Sequence, residues 1–85
     1  MELKVDIPRA LSAFQTIVDQ GNQVDTRYQF DGLQAESDYD GYTLHISDNK
    51  VTLHIYFHNR FELDSENPRD SEDFLRKVYR VAAHS

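Results

Sequence analysis

The chain of 85 residues has the length of one small domain, which buries only about 60–65% of its unfolded surface, so a large enclosed active-site cavity is not expected. Its formal net charge of −6 would repel a phosphate backbone, and its lack of cysteine excludes disulfides and thiolate chemistry. No apolar run approaches the roughly 20 residues that span a bilayer. We therefore expect a single cytoplasmic domain, 1–85, with no nucleic-acid partner and no membrane partner.

The first predicted element is a helix that begins after Asp6. Asp6 is a suitable N-cap, and Pro8 fits the first turn, where its missing N–H is harmless. Gly21 is expected to end the helix in the left-handed conformation. Apolar residues at helical spacing form its predicted buried stripe, which consists of Ile7, Ala10, Leu11, Phe14, Ile17 and Val18.

Residues 24–57 alternate apolar and polar side chains, which predicts a four-stranded antiparallel meander. Its strands are placed at 24–30, 33–39, 42–47 and 51–57, joined by the two-residue turns Asp31-Gly32, Asp40-Gly41 and Asp48-Asn49. Asp-Gly favours a type I′ turn, and a two-residue turn sets which residues face each other across a hairpin. The expected pairs are Phe30–Leu33, Tyr28–Ala35, Arg27–Glu36, Tyr39–Tyr42, Ser37–Leu44, Glu36–His45, Ile46–Val51, Leu44–Leu53 and His45–Thr52. The expected buried face carries Tyr28, Phe30, Leu44, Ile46, Leu53, Ile55 and Phe57.

The sequence allows two structures for the residues that follow the meander. His58-Asn59-Arg60 forms either a bulge within an extended fourth strand or a turn into a short fifth strand. Residues 64–70 are predicted to be a polar loop, and a second helix begins near Ser71. Its apolar stripe is Phe74, Leu75, Val78, Val81 and Ala82. The sequence thus predicts an α+β two-layer sandwich in the order α-β-β-β-β-α, with both helices on one face of the four-stranded sheet.

The other face of the predicted sheet is open and polar, and it carries a row formed by Arg27, Glu36, His45 and Thr52. A carboxylate beside an imidazole is a possible general-base pair, but opposite charges across strands also stabilise a sheet by about 0.2–1 kcal/mol. We expect a solvated ladder without catalytic residues. His45 and His54 are predicted diagonal neighbours that could share a metal ion with Glu36 or Asp38. Because no recognised ligand spacing is present, no metal and no cofactor are expected.

A family resemblance is carried by three runs. They are Ser37-Asp38-Tyr39-Asp40-Gly41-Tyr42-Thr43-Leu44, then Val51-Thr52-Leu53, then Tyr56-Phe57-His58-Asn59. In these runs the chain resembles a family of short uncharacterised bacterial proteins, a domain of unknown function, over nearly its whole length. The resemblance implies a small bacterial cytosolic protein. It carries no activity and assigns no functional residues.

Function is therefore predicted from the open face and the composition. We expect a small non-enzymatic protein-interaction or regulatory module whose partner is another protein or a second copy of the chain. The predicted partner-binding residues are Arg27, Glu36, His45, His54 and Tyr56, and an unpaired edge strand is a second possible contact. The alternative is a small-ligand binder or minor enzyme that uses Glu36 and His45.

Overall fold

The computed structural model describes residues 5–38, 41–56 and 60–83. Two helices flank the strands in the chain: α1 is Ile7–Gln20 and α2 is Pro68–Ala82. The strands are β1 (Asn22–Val24), β2 (Arg27–Phe30), β3 (Leu33–Ser37), β4 (Leu44–Ser47), β5 (Thr52–Tyr56) and β6 (Arg60–Asp64). They form one antiparallel sheet in which each strand pairs with the next along the chain. The α+β class is confirmed, but the predicted four-stranded sheet is wrong because the sheet has six strands.

The start of α1 is as predicted. Asp6 is the N-cap, and its carboxylate accepts the backbone N–H of Arg9 at 3.2 Å. The buried stripe is offset from the predicted one, since Ala10, Ala13 and Ile17 are fully buried whereas Leu11 is 40% exposed. The small alanine side chains face the core because α1 packs closely against α2, and Ile7 and Phe14 are only partly buried.

Gly21 ends α1 in a conformation different from the predicted one. Its φ of −83° and ψ of 173° are extended rather than left-handed, and its N–H donates to the carbonyl of Ile17 at 2.8 Å. Glycine is required here by space: a Cβ would overlap the carbonyl oxygens of Ile17 and Gln29. This close approach lets the chain turn directly from α1 into β1.

The predicted first strand, 24–30, is in fact a hairpin. Asp25 has a φ of 57°, and the chain reverses at Asp25-Thr26 so that Val24 pairs with Arg27. Aspartate tolerates the left-handed region better than most non-glycine residues, which allows this turn without glycine. The sheet therefore gains a short additional strand, β1, at one edge.

The strand registers predicted from the two Asp-Gly pairs are correct. Asp31 and Gly32 have φ values of 51° and 81°, as a type I′ turn requires, and Phe30–Leu33 and Tyr28–Ala35 are paired. Across the next turn Ser37 pairs with Leu44 and Glu36 with His45. The predicted strand ends at Tyr39 and Phe57, and the pair Tyr39–Tyr42, involve residues outside those described.

The register predicted between β4 and β5 is wrong by two residues. Ile46 pairs with Leu53, not Val51, and His45 pairs with His54, not Thr52. The loop between these strands contains four residues, 48–51. The Asp48 side chain stabilises it, because one of its carboxylate oxygens accepts the N–H groups of Lys50 and Val51, each at 2.8 Å. The predicted pair Leu44–Leu53 is likewise replaced by Leu44–Ile55. A shift of two residues keeps every side chain on its predicted face.

The end of the chain settles one alternative and corrects one boundary. Arg60–Asp64 is a separate strand, β6, antiparallel to β5, so the short additional strand is the correct alternative. His58 and Asn59 lie outside the described residues. Helix α2 begins at Pro68 rather than near Ser71, because the Asn67 side chain caps it by accepting the N–H of Asp70 at 2.9 Å.

One hydrophobic core joins both helices to one face of the sheet. Leu33, Ala35, Ile46, Leu53 and Ile55 are buried, and Tyr28, Phe30 and Leu44 pack against them as predicted. The helices contribute Ala10, Ala13, Ile17, Phe74, Leu75, Val78 and Val81, so the predicted stripe of the second helix is largely confirmed. Neither helix of the described ranges is long and apolar enough to cross a membrane.

Candidate functional site

The open face of the sheet carries a row of four ionisable side chains, one on each of β3 to β6. Glu36 pairs with His45, His45 with His54, and His54 with Glu62. Neighbouring positions across antiparallel strands lie about 4.5–5.5 Å apart at Cβ, so these side chains are within reach of one another. Two imidazoles therefore lie between two carboxylates at the centre of the open face.

The two imidazoles, hereafter the histidine pair, are in direct contact. His45 Nδ1 lies 2.7 Å from His54 Nδ1, and the rings meet edge to face with centroids 4.9 Å apart. On its other side, His45 Nε2 lies 2.7 Å from a carboxylate oxygen of Asp38. Asp38, His45 and His54 thus form a hydrogen-bonded chain on the surface of the sheet.

The protons of this chain follow from its chemistry. An ionised Asp38 only accepts hydrogen bonds, so His45 must donate from Nε2. A neutral His45 then has a lone pair on Nδ1 and accepts the Nδ1–H of His54. With one more proton on the pair, His45 donates from both nitrogens and His54 accepts. The contact therefore requires a proton on one of the two Nδ1 atoms and a lone pair on the other, since two Nδ1–H groups facing each other could not form the bond.

Tyr56 extends this surface along β5. Its ring stacks on that of His54 with centroids 6.3 Å apart and 16° between planes, and its hydroxyl donates to Glu62 at 2.9 Å. This hydrogen bond is the main reason that the pKa of Tyr56 is raised above its ordinary value. Partial desolvation and repulsion from the charges of Glu62 and Asp38 raise that pKa further. Ionising the phenol would remove the donor and bring two negative charges together.

The predicted ladder between Arg27 and Glu36 does not form as expected. The Arg27 guanidinium donates to Gln34 at 3.3 Å, and the Glu36 carboxylate accepts from the Thr26 hydroxyl at 3.3 Å. Four of the five predicted partner-binding residues, Glu36, His45, His54 and Tyr56, nevertheless lie in or beside the row, while Arg27 lies on β2 away from it. Their role in binding a partner stays a prediction.

Asp38 was predicted only as a possible metal ligand beside the two histidines, and Glu62 was not predicted as part of this site. Asp38, rather than Glu36, contacts His45: Asp38 follows Glu36 two positions along the chain, its N–H donates to the carbonyl of Thr43 across from it, and its carboxylate reaches His45. The position of Glu62 depends on β6, and the sequence allows either an extended fourth strand or a separate strand there. The even spacing of Asp38 from Glu36 along one strand was the signal that both lie on the open face.

Comparison with known proteins places this chain in a family. The model of a family described as a protein of unknown function, DUF3081, matches residues 5–85. The chain belongs to the DUF3081 family. Membership confirms the predicted domain of unknown function and, like the predicted resemblance, names no activity. No curated protein and no solved structure matches the chain.

Proposed function

We propose that this DUF3081 chain is a non-enzymatic protein-interaction module that self-associates, with β6 pairing antiparallel to β6 of a second copy. The observation that carries the proposal is the charge order of this edge strand, Arg60-Phe61-Glu62-Leu63-Asp64, which has a cation at one end and a carboxylate at the other. The acidic composition, and the resemblance to small bacterial proteins, support a bacterial cytoplasmic setting.

Position in the sheet makes β6 available for pairing. It is the last strand in the sheet order, so within the described residues only β5 is paired with it. An edge strand presents backbone N–H and C=O groups that can extend a sheet into another chain. The opposite edge, β1, has only three residues and offers a shorter template.

The side chains of β6 favour a second copy as the occupant. Pairing that sets apolar side chains opposite apolar ones puts Phe61 across from Leu63 or Phe61 of the second copy. Arg60 then lies across from Asp64 or Glu62, respectively. In the first of these registers Glu62 also faces Glu62 of the second copy, which sets one like-charge pair against the two unlike pairs. Neither Arg60 nor Asp64 has an ion pair within the described residues, so both charges are available. Phe61 is 37% exposed and would lose part of that exposure.

Charges on an edge strand commonly discourage pairing, so their order matters here more than their number. A strand with one sign throughout would repel its copy in every register. In β6 the single cation stands at one end and the carboxylates follow it, and antiparallel pairing brings unlike charges together twice in a symmetric dimer. This charge order supports β6, rather than the open face, as the dimer interface. On the open face the predicted partner-binding side chains already contact neighbours within the chain, namely those of Arg27, Glu36, His45, His54 and Tyr56.

Sedimentation velocity over a range of concentrations tests the proposal. We expect a reversible dimer, and Arg60→Glu should raise its dissociation constant by about tenfold or more, because two favourable cross-strand charge pairs become repulsive. Arg69→Glu is the matched control: it makes the same change in net charge at an exposed position on α2 and should change the constant by less than about twofold.

Compensating exchanges distinguish the two registers. Arg60→Glu with Asp64→Arg restores dimerisation if Arg60 faces Asp64, and Arg60→Glu with Glu62→Arg restores it if Arg60 faces Glu62. A chain that stays monomeric at all concentrations would contradict the proposal. So would a dimer that Arg60→Glu leaves unchanged.

A further inference from the structure

We propose that the histidine pair, His45 and His54, is a binding site for a divalent transition-metal ion with tetragonal preference, such as Cu²⁺ or Ni²⁺. The site is independent of β6 pairing. It rests on the convergence of two imidazole nitrogens and on the carboxylate behind one of them.

The separation of the nitrogens fits chelation at a right angle. Metal–imidazole bonds of about 2.0–2.1 Å place two ligand nitrogens roughly 2.9 Å apart at a right angle and roughly 3.3–3.4 Å apart at a tetrahedral angle. The observed Nδ1–Nδ1 separation is 2.7 Å. The nitrogens need move apart only slightly to reach the first value, and each ring must turn by about 45° so that its lone pair points from the other ring towards the ion. Right-angle nitrogen pairs are typical of Cu²⁺ and Ni²⁺ rather than of Zn²⁺.

Asp38 prepares His45 for this role. A metal-bound histidine commonly donates its other ring N–H to a carboxylate, which fixes the tautomer and makes the ligand nitrogen more basic. The 2.7 Å contact between His45 Nε2 and Asp38 is of this kind, and it leaves the Nδ1 lone pair directed at His54. His54 moves its proton to Nε2 when it releases Nδ1 to the ion.

The surroundings favour a cation and admit water. Glu36 and Glu62 are the cross-strand neighbours of the pair, so the row is negative at both ends. Among the described residues no group of three metal-ligating side chains could hold an ion. The ion would therefore have two protein ligands and complete its coordination with water, which the 24% exposure of the His45 side chain allows.

Calorimetric titration with Cu²⁺, Ni²⁺ and Zn²⁺ separately tests the proposal. We expect one equivalent of Cu²⁺ and of Ni²⁺ to bind, with Ni²⁺ at least about tenfold tighter than Zn²⁺. His45→Ala and His54→Ala should each weaken Ni²⁺ binding at least about tenfold, and Asp38→Asn should weaken it about tenfold or more. His58→Ala and His84→Ala serve as matched controls, and each should leave the affinity within about twofold.

Proton NMR of the imidazole rings provides a second readout that does not depend on variants. Stoichiometric Ni²⁺ should broaden the ring resonances of His45 and His54 before those of the other two histidines. Absence of stoichiometric binding, loss of binding in His58→Ala or His84→Ala, or Zn²⁺ binding as tightly as Ni²⁺ would overturn the assignment. The thermal unfolding of each variant shows whether the variant is still folded, so that a loss of metal binding is not mistaken for a loss of the fold.

Discussion

Asp48 is expected to hold the loop between β4 and β5, so Asp48→Ala should destabilise the chain by about 2–3 kcal/mol. One carboxylate oxygen accepts the N–H groups of Lys50 and Val51, each at 2.8 Å, and the other accepts from Lys77 at 3.5 Å. Hydrogen bonds to charged groups contribute roughly 1.5–3 kcal/mol each, but here two share one oxygen, so they do not add fully. The half-exposed Lys77 adds at most about 1 kcal/mol.

Urea and thermal unfolding measure this loss. For a domain of this size, 2–3 kcal/mol corresponds to a fall in Tm of roughly 10–20 °C. Asp48→Asn is the matched control because the amide oxygen still accepts N–H groups while the charge is lost, and it should cost only about 1 kcal/mol. The reasoning would be refuted if Asp48→Ala stayed within about 0.5 kcal/mol of the wild type. It would also be refuted if Asp48→Asn lost as much as Asp48→Ala, since the charge alone would then be responsible.

Two further predictions concern the turn after α1 and the open face. Gly21→Ala should destabilise the chain by about 3 kcal/mol, because the alanine methyl group would overlap two backbone carbonyls. Gly32→Ala is the control and should cost about 1–2 kcal/mol, because Gly32 has a positive φ but open space around it. Equal losses of stability in urea unfolding would contradict the overlap at Gly21. Glu62→Ala should lower the pKa of Tyr56 towards its ordinary value, measured by the ultraviolet absorbance of the phenolate, and an unchanged titration would be inconsistent with the hydrogen bond. Because the folded chain retains the Tyr56 proton to higher pH than the unfolded chain, the stabilisation is present below about pH 10 and is lost as the pH rises through the raised pKa.

The sequence predicted turns best where glycine marked them. Asp31-Gly32 and the turn at Gly41 gave the correct registers because glycine takes positive φ without a steric cost. The turn at Asp25-Thr26 has no glycine, and the alternation of apolar and polar residues runs through it uninterrupted, so the pattern predicts one strand where the structure has β1 and β2. A non-glycine residue at positive φ depends on its surroundings, which a sequence pattern does not describe.

The face of each strand was more predictable than its register. Asp48-Asn49 has the composition of a two-residue turn, yet the Asp48 side chain stabilises a four-residue loop by competing for backbone N–H groups. Because the resulting shift is two residues, the buried face was predicted correctly. The cross-strand partner of His45 was predicted wrongly, because the shift places His54 instead of Thr52 opposite it and so creates the histidine pair.

The boundary of α2 was missed although its signals are local. Asn67 followed by Pro68 is a suitable N-cap with proline in the first turn, as in α1 with Asp6 and Pro8. The many polar residues at 64–70 suggested a loop instead. Capping chemistry was therefore a better guide to this helix start than the apolar periodicity, which begins only at Phe74.

The most direct test of self-association through β6 is an isotope-filtered NMR experiment on a mixture of labelled and unlabelled chains. Contacts between copies should join Phe61 of one chain to Leu63 or Phe61 of the other, with Arg60 beside a carboxylate-bearing residue of the second chain. Contacts that instead join His45, His54 or Tyr56 between copies would place the interface on the open face and contradict pairing through β6. An absence of contacts between chains at high concentration would contradict self-association itself.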